Sequence, residues 1–471
     1  MKKSVNTKNK TVFVVIWTTT LFFLLYVGVQ RAFTQTVSGI GAHSLMVCDD
    51  GTVEATGRLF YPDSSYTLTT MPTPIDGFTG IVTVAAGLAY SLALKNDGTI
   101  WSYGGNIWGQ LGLGDTLTRY SPEQISTLSN VVSVTAGFST SLAIKNDSTL
   151  WAWGKNEYGQ LGLGDMVNRH SPAQIISLTN VVSVAAGVYH TLALKSDGTV
   201  WAWGKNEAGQ LGNGTQINTT TPVMVIGLNG IVAVAAGQSH SLAVKNDGTV
   251  WSWGENSHGE LGDSLVVQFR TTPNLVLNIS SILKVQAGSY YSLALKSDST
   301  VWAWGVNSAG QLGIGSTATI VKTPTLINNF VGINEVAAGL SHVLAVKNNS
   351  TIWGWGENQT GQLGDSTTTN RFSPVQTKSS CGISTGTSVM VDDFEINLYP
   401  NPTPGLITVS LKNAPTQEAN FTLTTLEGRI IKQEKVNNTT VVMDLSDYPK
   451  GVYVLKIEDA QSTNVYKIIK Q

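Results

Sequence analysis

The stretch HTLALKSDGTVWAWGKNEAGQLG, His190 to Gly212, holds a histidine, a charged turn, two tryptophans and a glycine-rich tail. Alone it has the ingredients of a small active site. Its repetition gives it another meaning, because a fixed period of this length signals a repeat architecture. The glycine of an Ala-Gly pair recurs at Gly87, Gly137, Gly187, Gly237, Gly288 and Gly339, in steps of 50, 50, 50, 51 and 51 residues. After each come Leu-Ala, a lysine and an Asp/Asn-Gly or Asp/Asn-Ser turn. Trp-x-Trp-Gly follows (Tyr103 replaces the second Trp once), then Asn-x-x-Gly-Gln-Leu-Gly, with Glu260 for Gln once. Each unit closes on a proline, from Pro122 to Pro374. A degenerate seventh copy, Ala42 to Gly57, comes first and lacks the tryptophans.

Each copy reads as four strands. VVSVAAG is the first, HTLALK the second, SDG a tight hairpin turn and TVWAWG the third. The short PAQII is the fourth, opened by Pro172 where no ladder donor is needed. The tryptophans lie two residues apart and so share one face of the sheet. One such sheet cannot bury both faces, so neighbouring copies must stack. Ala and Gly of the first strand suit a crowded inner edge, and Trp the wider gaps between sheets. Seven units of four strands predict an all-β chain, a seven-bladed β-propeller followed by a small β-sandwich. A linear solenoid is the alternative, but it needs polar caps that the sequence does not display. The first copy lacks a preceding fourth strand, and the last ends with one at Ser373 to Thr377. Ring closure by strands from both termini is therefore expected.

Composition agrees. Glycine is high at 48 residues, and only 13% of residues are charged, with a net charge of −2. That gives no electrostatic footprint for nucleic acid. Two cysteines, Cys48 and Cys381, exclude a disulfide scaffold and a cysteine-rich zinc protein. Residues 1–34 read as an export signal: four lysines, then an apolar run of 19 residues from Thr11 to Val29. An uncleaved anchor is the alternative, and both take the rest of the chain out of the cytoplasm.

The repeats resemble the RCC1 (regulator of chromosome condensation) family over about residues 36–378. AAGVYHTLALKSDGTVWAWGKNEAGQLG and LGLGDTLTRYSP (Leu111 to Pro122) carry the resemblance. It implies the seven-bladed fold. The family's founding activity is nucleotide exchange on a small nuclear GTPase, so exchange is one alternative function. Extracellular hydrolysis is another. After a Ser/Gly/Thr-rich linker (379–391), residues 392–471 resemble the C-terminal sorting domain of the type IX secretion system. Tyr399, Pro400, Asn401, Pro402 and Gly405, then Gly451 and Tyr453, and the basic end KIIKQ carry that resemblance. It implies secretion machinery as a partner and a secreted or outer-membrane surface location.

Four histidines, His43, His190, His240 and His342, hold one repeat position, which Tyr90, Thr140 and Tyr291 fill elsewhere. A metal or catalytic role would not tolerate Thr and Tyr, so a structural hydrogen bond near the first-to-second-strand loop is expected. Asp97, Asp197 and Asp247 are turn residues. Asp115 with Arg119, and Asp165 with Arg169, are expected to pair as loop staples. No zinc-protease, phosphate-loop or nucleophile-elbow motif occurs, and neither enzyme activity nor a cofactor is expected. Residues unique to single copies are the better lead. Trp108, Phe138, Tyr158, Tyr189, His258 and Tyr290, with Glu157 and Glu207, should share one face, a candidate surface for an extracellular protein or glycan. The unique loop Arg58 to Met71 adds to a rim. Cys48 and Cys381 should lie at the same end of the ring, where a disulfide is one reading and two free thiols the other. A monomer is expected.

Overall fold

The computed structural model describes residues 37–39, 41–48, 50–60, 66–264, 267–379, 381, 396–399, 406–411, 419–425, 429–436, 440–449, 451–458 and 463–470. The expected export signal and most of the linker lie outside these residues. Among them the chain forms seven four-stranded antiparallel blades in chain order, and no helix. In blade 4 the strands are Val181–Ala186, His190–Lys195, Val200–Gly204 and Thr219–Met224. Asp197 Oδ1 accepts the Thr199 N–H at 3.0 Å and its hydroxyl at 2.6 Å. The aspartate thereby satisfies a backbone donor that the hairpin leaves free, which is why the type recurs there.

The fourth strand begins earlier than expected, at Arg169 in blade 3 and Thr219 in blade 4, so Pro172 and Pro222 lie inside it. The strand is the blade's outer edge, and its register slips between Ala202 and Gly204. A missing N–H on an edge strand beside a bulge removes no ladder bond.

Small residues line the axis, as expected. Alanines of the first strands, with Thr135, Ser183 and Glu335, enclose a central cavity of about 330 Å³. The Ala-Gly glycines mark a close approach of neighbouring blades: a Cβ on Gly187 would lie 2.4 Å from the Gly237 carbonyl oxygen, and one on Gly237 2.6 Å from that of Gly288. The two tryptophans of each copy are not equivalent. The second (Trp153, Trp203, Trp253, Trp304, Trp355) is fully buried between blades, while the first is half-buried near the hairpin end.

The histidines reach further than expected. Each bonds a side chain of the next blade: His190 Nε2 to Ser241 Oγ at 2.9 Å, His240 to Ser292 at 3.0 Å, His43 to Ser91 at 3.1 Å. Ser241 Oγ in turn donates to the Gln210 carbonyl at 2.8 Å, and Trp253 Nε1 donates to the same oxygen at 2.8 Å. Ser241's own proton is thus committed, so His190 must donate from Nε2. Its Nδ1 has no partner. Burial pushes the imidazoles of His190, His240 and His342 down to about 3, and that of His43 to about 4. They are neutral structural donors. Tyr291 does the same work, its hydroxyl reaching the His342 carbonyl at 2.8 Å. Replacing Ser241 by Ala orphans the His190 Nε2–H and removes one of two donors from Gln210. The expected loss is about 1–3 kcal/mol in denaturant unfolding; a loss below about 0.5 kcal/mol would contradict the network.

Ring closure differs from expectation. Blade 1 is Val37–Gly39, His43–Val47, Val53–Phe60 and Tyr66–Pro74, and blade 7 ends with Arg371–Gln376. Among the described residues no sheet combines strands from both ends. The segment Arg58 to Met71, read as a loop, is mostly an extended hairpin. It gives blade 1 its own outer strand and leaves no vacant edge for the last copy to fill. Side chains close the ring instead. His342 Nε2 meets Ser44 Oγ at 3.0 Å, and Ser44 donates to the Gln362 carbonyl at 2.7 Å. Thr56 Oγ1 donates to the Gly361 carbonyl at 2.8 Å. A disulfide joins Cys48 to Cys381, with Cα atoms 4.8 Å apart.

The C-terminal part is a sandwich. One sheet contains Ile396–Tyr399, Leu406–Leu411 and Thr440–Asp444, the other Ala419–Thr425, Ile430–Val436, Gly451–Glu458 and Thr463–Lys470. Ile407, Val409 and Met443 of the first share one core with Phe421, Leu423 and Leu455 of the second.

Candidate binding face

In an up-and-down blade the first-to-second and third-to-fourth loops lie at one end, which is the top face. Its third-to-fourth loops are rigid by construction. Asn206 Nδ2 donates to the carbonyls of Thr215 at 3.0 Å and Ile217 at 3.1 Å, while its Oδ1 accepts the Leu211 N–H at 2.9 Å. Asp115–Arg119 and Asp165–Arg169 pair at 2.7 and 2.5 Å within the equivalent loops. The arginine in each pair holds the carboxyl below the usual carboxylate range.

The six residues expected on this face separate into three groups. Trp108, Tyr158 and Tyr189, from blades 2, 3 and 4, form a row threaded by lysines. Lys155 Nζ lies 4.8 Å from the Trp108 ring centre and 6.0 Å from that of Tyr189. Lys205 Nζ lies 5.1 Å from Tyr158 and 5.5 Å from Tyr189, and the two tyrosine rings meet edge to face at 5.1 Å. Glu157 and Glu207 tether these lysines at 2.7 and 3.1 Å. The second group is His258 packed at a tilt against Tyr290, centres 4.7 Å apart, with Gln238 donating to the Tyr290 hydroxyl. Phe138 stands apart at the mouth of the central cavity. All six are half-buried.

Sequence reasoning passed over a set of exposed aliphatics on the same third-to-fourth loops. Ile107 is 69% exposed, Leu117 65%, Met166 56%, Val167 61% and Ile217 71%. Leu117, Val167 and Ile217 occupy one loop position in blades 2, 3 and 4, where blades 6 and 7 have Ala318 and Thr369. Comparing the copies position by position is the signal that finds them. Isolated exposed aliphatics are ordinary, whereas these five gather in the top-face loops of three consecutive blades.

Two overlapping matches to the RCC1-like domain family model cover residues 25–277 and 178–395. The chain belongs to the RCC1-like domain family. Residues 397–471 match the secretion system C-terminal sorting domain. The probable E3 ubiquitin-protein ligases HERC3 and HERC6 of Homo sapiens are 39% and 40% identical over 104 and 112 residues, 22% and 23% of this chain. These stretches span only 10% and 11% of those proteins' length. Yeast RCC1 (Prp20), solved bound to Kap60, superposes with a TM-score of 0.63 at 22% identity, covering 84% of this chain and 93% of that one. Human WBSCR16 gives 0.60 at 23% identity, covering 66% and 86%. Likeness at this identity shows the fold.

The RCC1-like chain therefore carries a type IX sorting domain, which marks it for export to the cell surface or medium and for contact with the secretion machinery. Of the sorting residues, Tyr399 ends one strand and Gly451 begins another, opposite Lys470. Tyr453 is buried, its hydroxyl donating to the Pro449 carbonyl at 2.5 Å. Lys470 of the basic end buries its ammonium against the carbonyls of Leu445, Ser446 and Tyr448. Pro400, Asn401, Pro402 and Gly405 lie outside the described residues.

Proposed function

We propose that this exported propeller is a non-catalytic scaffold that binds an extracellular protein through the top face of blades 2–4. The observation that carries the reading is the exposed aliphatics Ile107, Leu117, Met166, Val167 and Ile217, presented by the third-to-fourth loops of blades 2–4, two of which also carry Trp108 and Tyr158. Aromatic rings alone suit protein and glycan equally. Exposed aliphatics offer a sugar no hydrogen bond, but they bury readily against another apolar surface. The loops that present them are held by asparagine and arginine bonds, so little ordering cost accompanies binding. Guanine nucleotide exchange has only a fold-level likeness behind it, and fold does not carry activity.

The test compares recovery of envelope and culture-medium partners on immobilised wild type, on Tyr189→Ala/Ile217→Ser, and on a control changed on blade 7, Thr369→Ser. At least one partner should fall about tenfold or more on the first variant and be unchanged on the control, as expected for loss of a central anchor. Equal recovery of every partner on all three would sink the assignment. A glycan as the captured species would move the reading to carbohydrate.

A further inference from the structure

Blade 5 departs from its neighbours at three positions that meet in space. Where blades 3 and 4 have Lys155 and Lys205 after the third strand, blade 5 has Glu255. Where they have Tyr158 and Ala208, it has His258. Where the other five full copies have glutamine, it has Glu260. The ligand atoms of Glu255, His258 and Glu260 all lie within 4.8 Å of one another.

Glu260 is fully buried, with a relative exposure of 0%. Its Oε2 accepts the His258 N–H at 2.8 Å, which orients the carboxylate. Its Oε1 has no partner and faces His258 Nδ1 at 3.9 Å, and that nitrogen is also unpartnered. The scaffold leaves the matching atom unpartnered in blades 3 and 4 too, but there it is the amide Nε2 of Gln160 and Gln210. An amide nitrogen cannot hold a cation. A carboxylate oxygen at the same place can. The change from lysine to Glu255 also removes the positive charge that blades 3 and 4 place here. Among the described residues no lysine or arginine pairs with Glu255 or Glu260. Burial, and then the Glu255 charge, push the metal-free Glu260 carboxyl up to about 7.

We propose that Glu255, His258 and Glu260 bind one divalent transition-metal ion of the zinc class at the top face of blade 5. One imidazole nitrogen and two carboxylate oxygens are a borderline donor set suited to zinc, with metal–ligand distances of about 2.0–2.2 Å. Around such an ion the ligand atoms come to roughly 3.5 Å of one another, so the present spacing must contract by about 1 Å. Glu260 is fixed by burial, whereas Glu255 and His258 are partly exposed and can swing. Tyr290 packs against the imidazole at a tilt, centres 4.7 Å apart, and bounds the space it can sweep. Three protein ligands leave a coordination position open toward solvent. This proposal does not rest on the protein-binding reading, which concerns blades 2–4.

The test is calorimetric titration of the untagged, exported chain with zinc chloride, paralleled by cobalt(II) and its visible absorption. Wild type should bind one ion with micromolar or tighter affinity and show a cobalt spectrum of low coordination number. Glu260→Gln installs the residue of the other blades and preserves the fold, which thermal melting verifies. It and the surface variant His258→Ala should each weaken binding at least tenfold and abolish the cobalt spectrum. Absence of binding by wild type, or wild-type affinity in either variant, overturns the proposal.

Discussion

Acidification from pH 7 to pH 5 is expected to destabilise the ring through its four buried imidazoles. Each is neutral in the fold, with a pKa near 3 or 4 against an ordinary 6.5. A group whose folded pKa is depressed binds more protons when unfolded. Its contribution is present above pH 6.5 and is lost progressively as pH falls toward the folded value. At pH 5 the loss is about 2 kcal/mol per histidine, from roughly 1.4 kcal/mol per pH unit. Four such losses come to about 8 kcal/mol, of which the two acids described next offset about half, against an ordinary domain stability of about 5–15 kcal/mol. Two acids act in the opposite sense, buried Glu260 and half-buried Glu335 at the central cavity. Burial raises Glu260 and Glu335 to about 7, so both favour the fold more as pH falls toward 4.5. A single replacement isolates the histidine effect. His190→Tyr follows Tyr90 and Tyr291, which fill the same position and bond the next blade's backbone. Denaturant unfolding at pH 7, 6 and 5 should show the variant losing about 2 kcal/mol less than wild type across that window. Identical pH slopes would mean that His190 is not the buried neutral donor described.

The blades were legible because each copy carries its own instructions. An Asp-Gly or Asn-Ser turn joins two strands, paired tryptophans mark one face, and a glycine marks the axis. What one copy does to the next was not legible. The His190–Ser241–Gln210 chain joins residues 51 and 31 positions apart, a pairing that exists only once the ring geometry is known. The outer strand of blade 1 was missed for a related reason. Its residues Tyr66–Pro74 lack the Asn-x-x-Gly-Gln-Leu-Gly tail that precedes the fourth strand in the six full copies, so nothing local announced it. At the top face, tyrosines drew attention by type, while Ile107 and Ile217 looked like ordinary loop aliphatics. Glu260 was visible as a substitution, but its unpartnered oxygen is a property of packing. Phe138 was grouped with the rim because its loop belongs there, although the loop delivers it to the central cavity.

Removing the disulfide is expected to open the ring at the junction of blades 7 and 1. Every other junction holds a buried aromatic of the later blade against the earlier one. Among the described residues blade 1 has none there. In the register of its second and third strands, Thr56 stands opposite Ser44 where Trp203 stands opposite Thr191, and Glu54 opposite Met46 where Trp201 stands opposite Ala193. Thr56 contributes a hydrogen bond to Gly361 but little apolar area, and buried Glu54 is held by the Ser379 hydroxyl at 2.6 Å. The remaining core is small: Val37, Met46, Leu344, Val346 and Ile352 around the two sulfurs. Cys48 and Cys381, 333 residues apart, therefore clasp the interface with the least packing. In the chain-entropy account a loop of that length stabilises by about 6 kcal/mol, and loss of a native disulfide typically costs about 2–5 kcal/mol. Cys48→Ser/Cys381→Ser should melt about 5 °C or more below wild type. Hydrogen exchange should show blade 1 and blade 7 amides losing protection before those of blades 3–5, because the closed ring becomes an open array frayed at both ends. A melting temperature within about 1 °C of wild type, or uniform loss of protection around the ring, would mean that the histidine, serine and threonine contacts close the junction unaided.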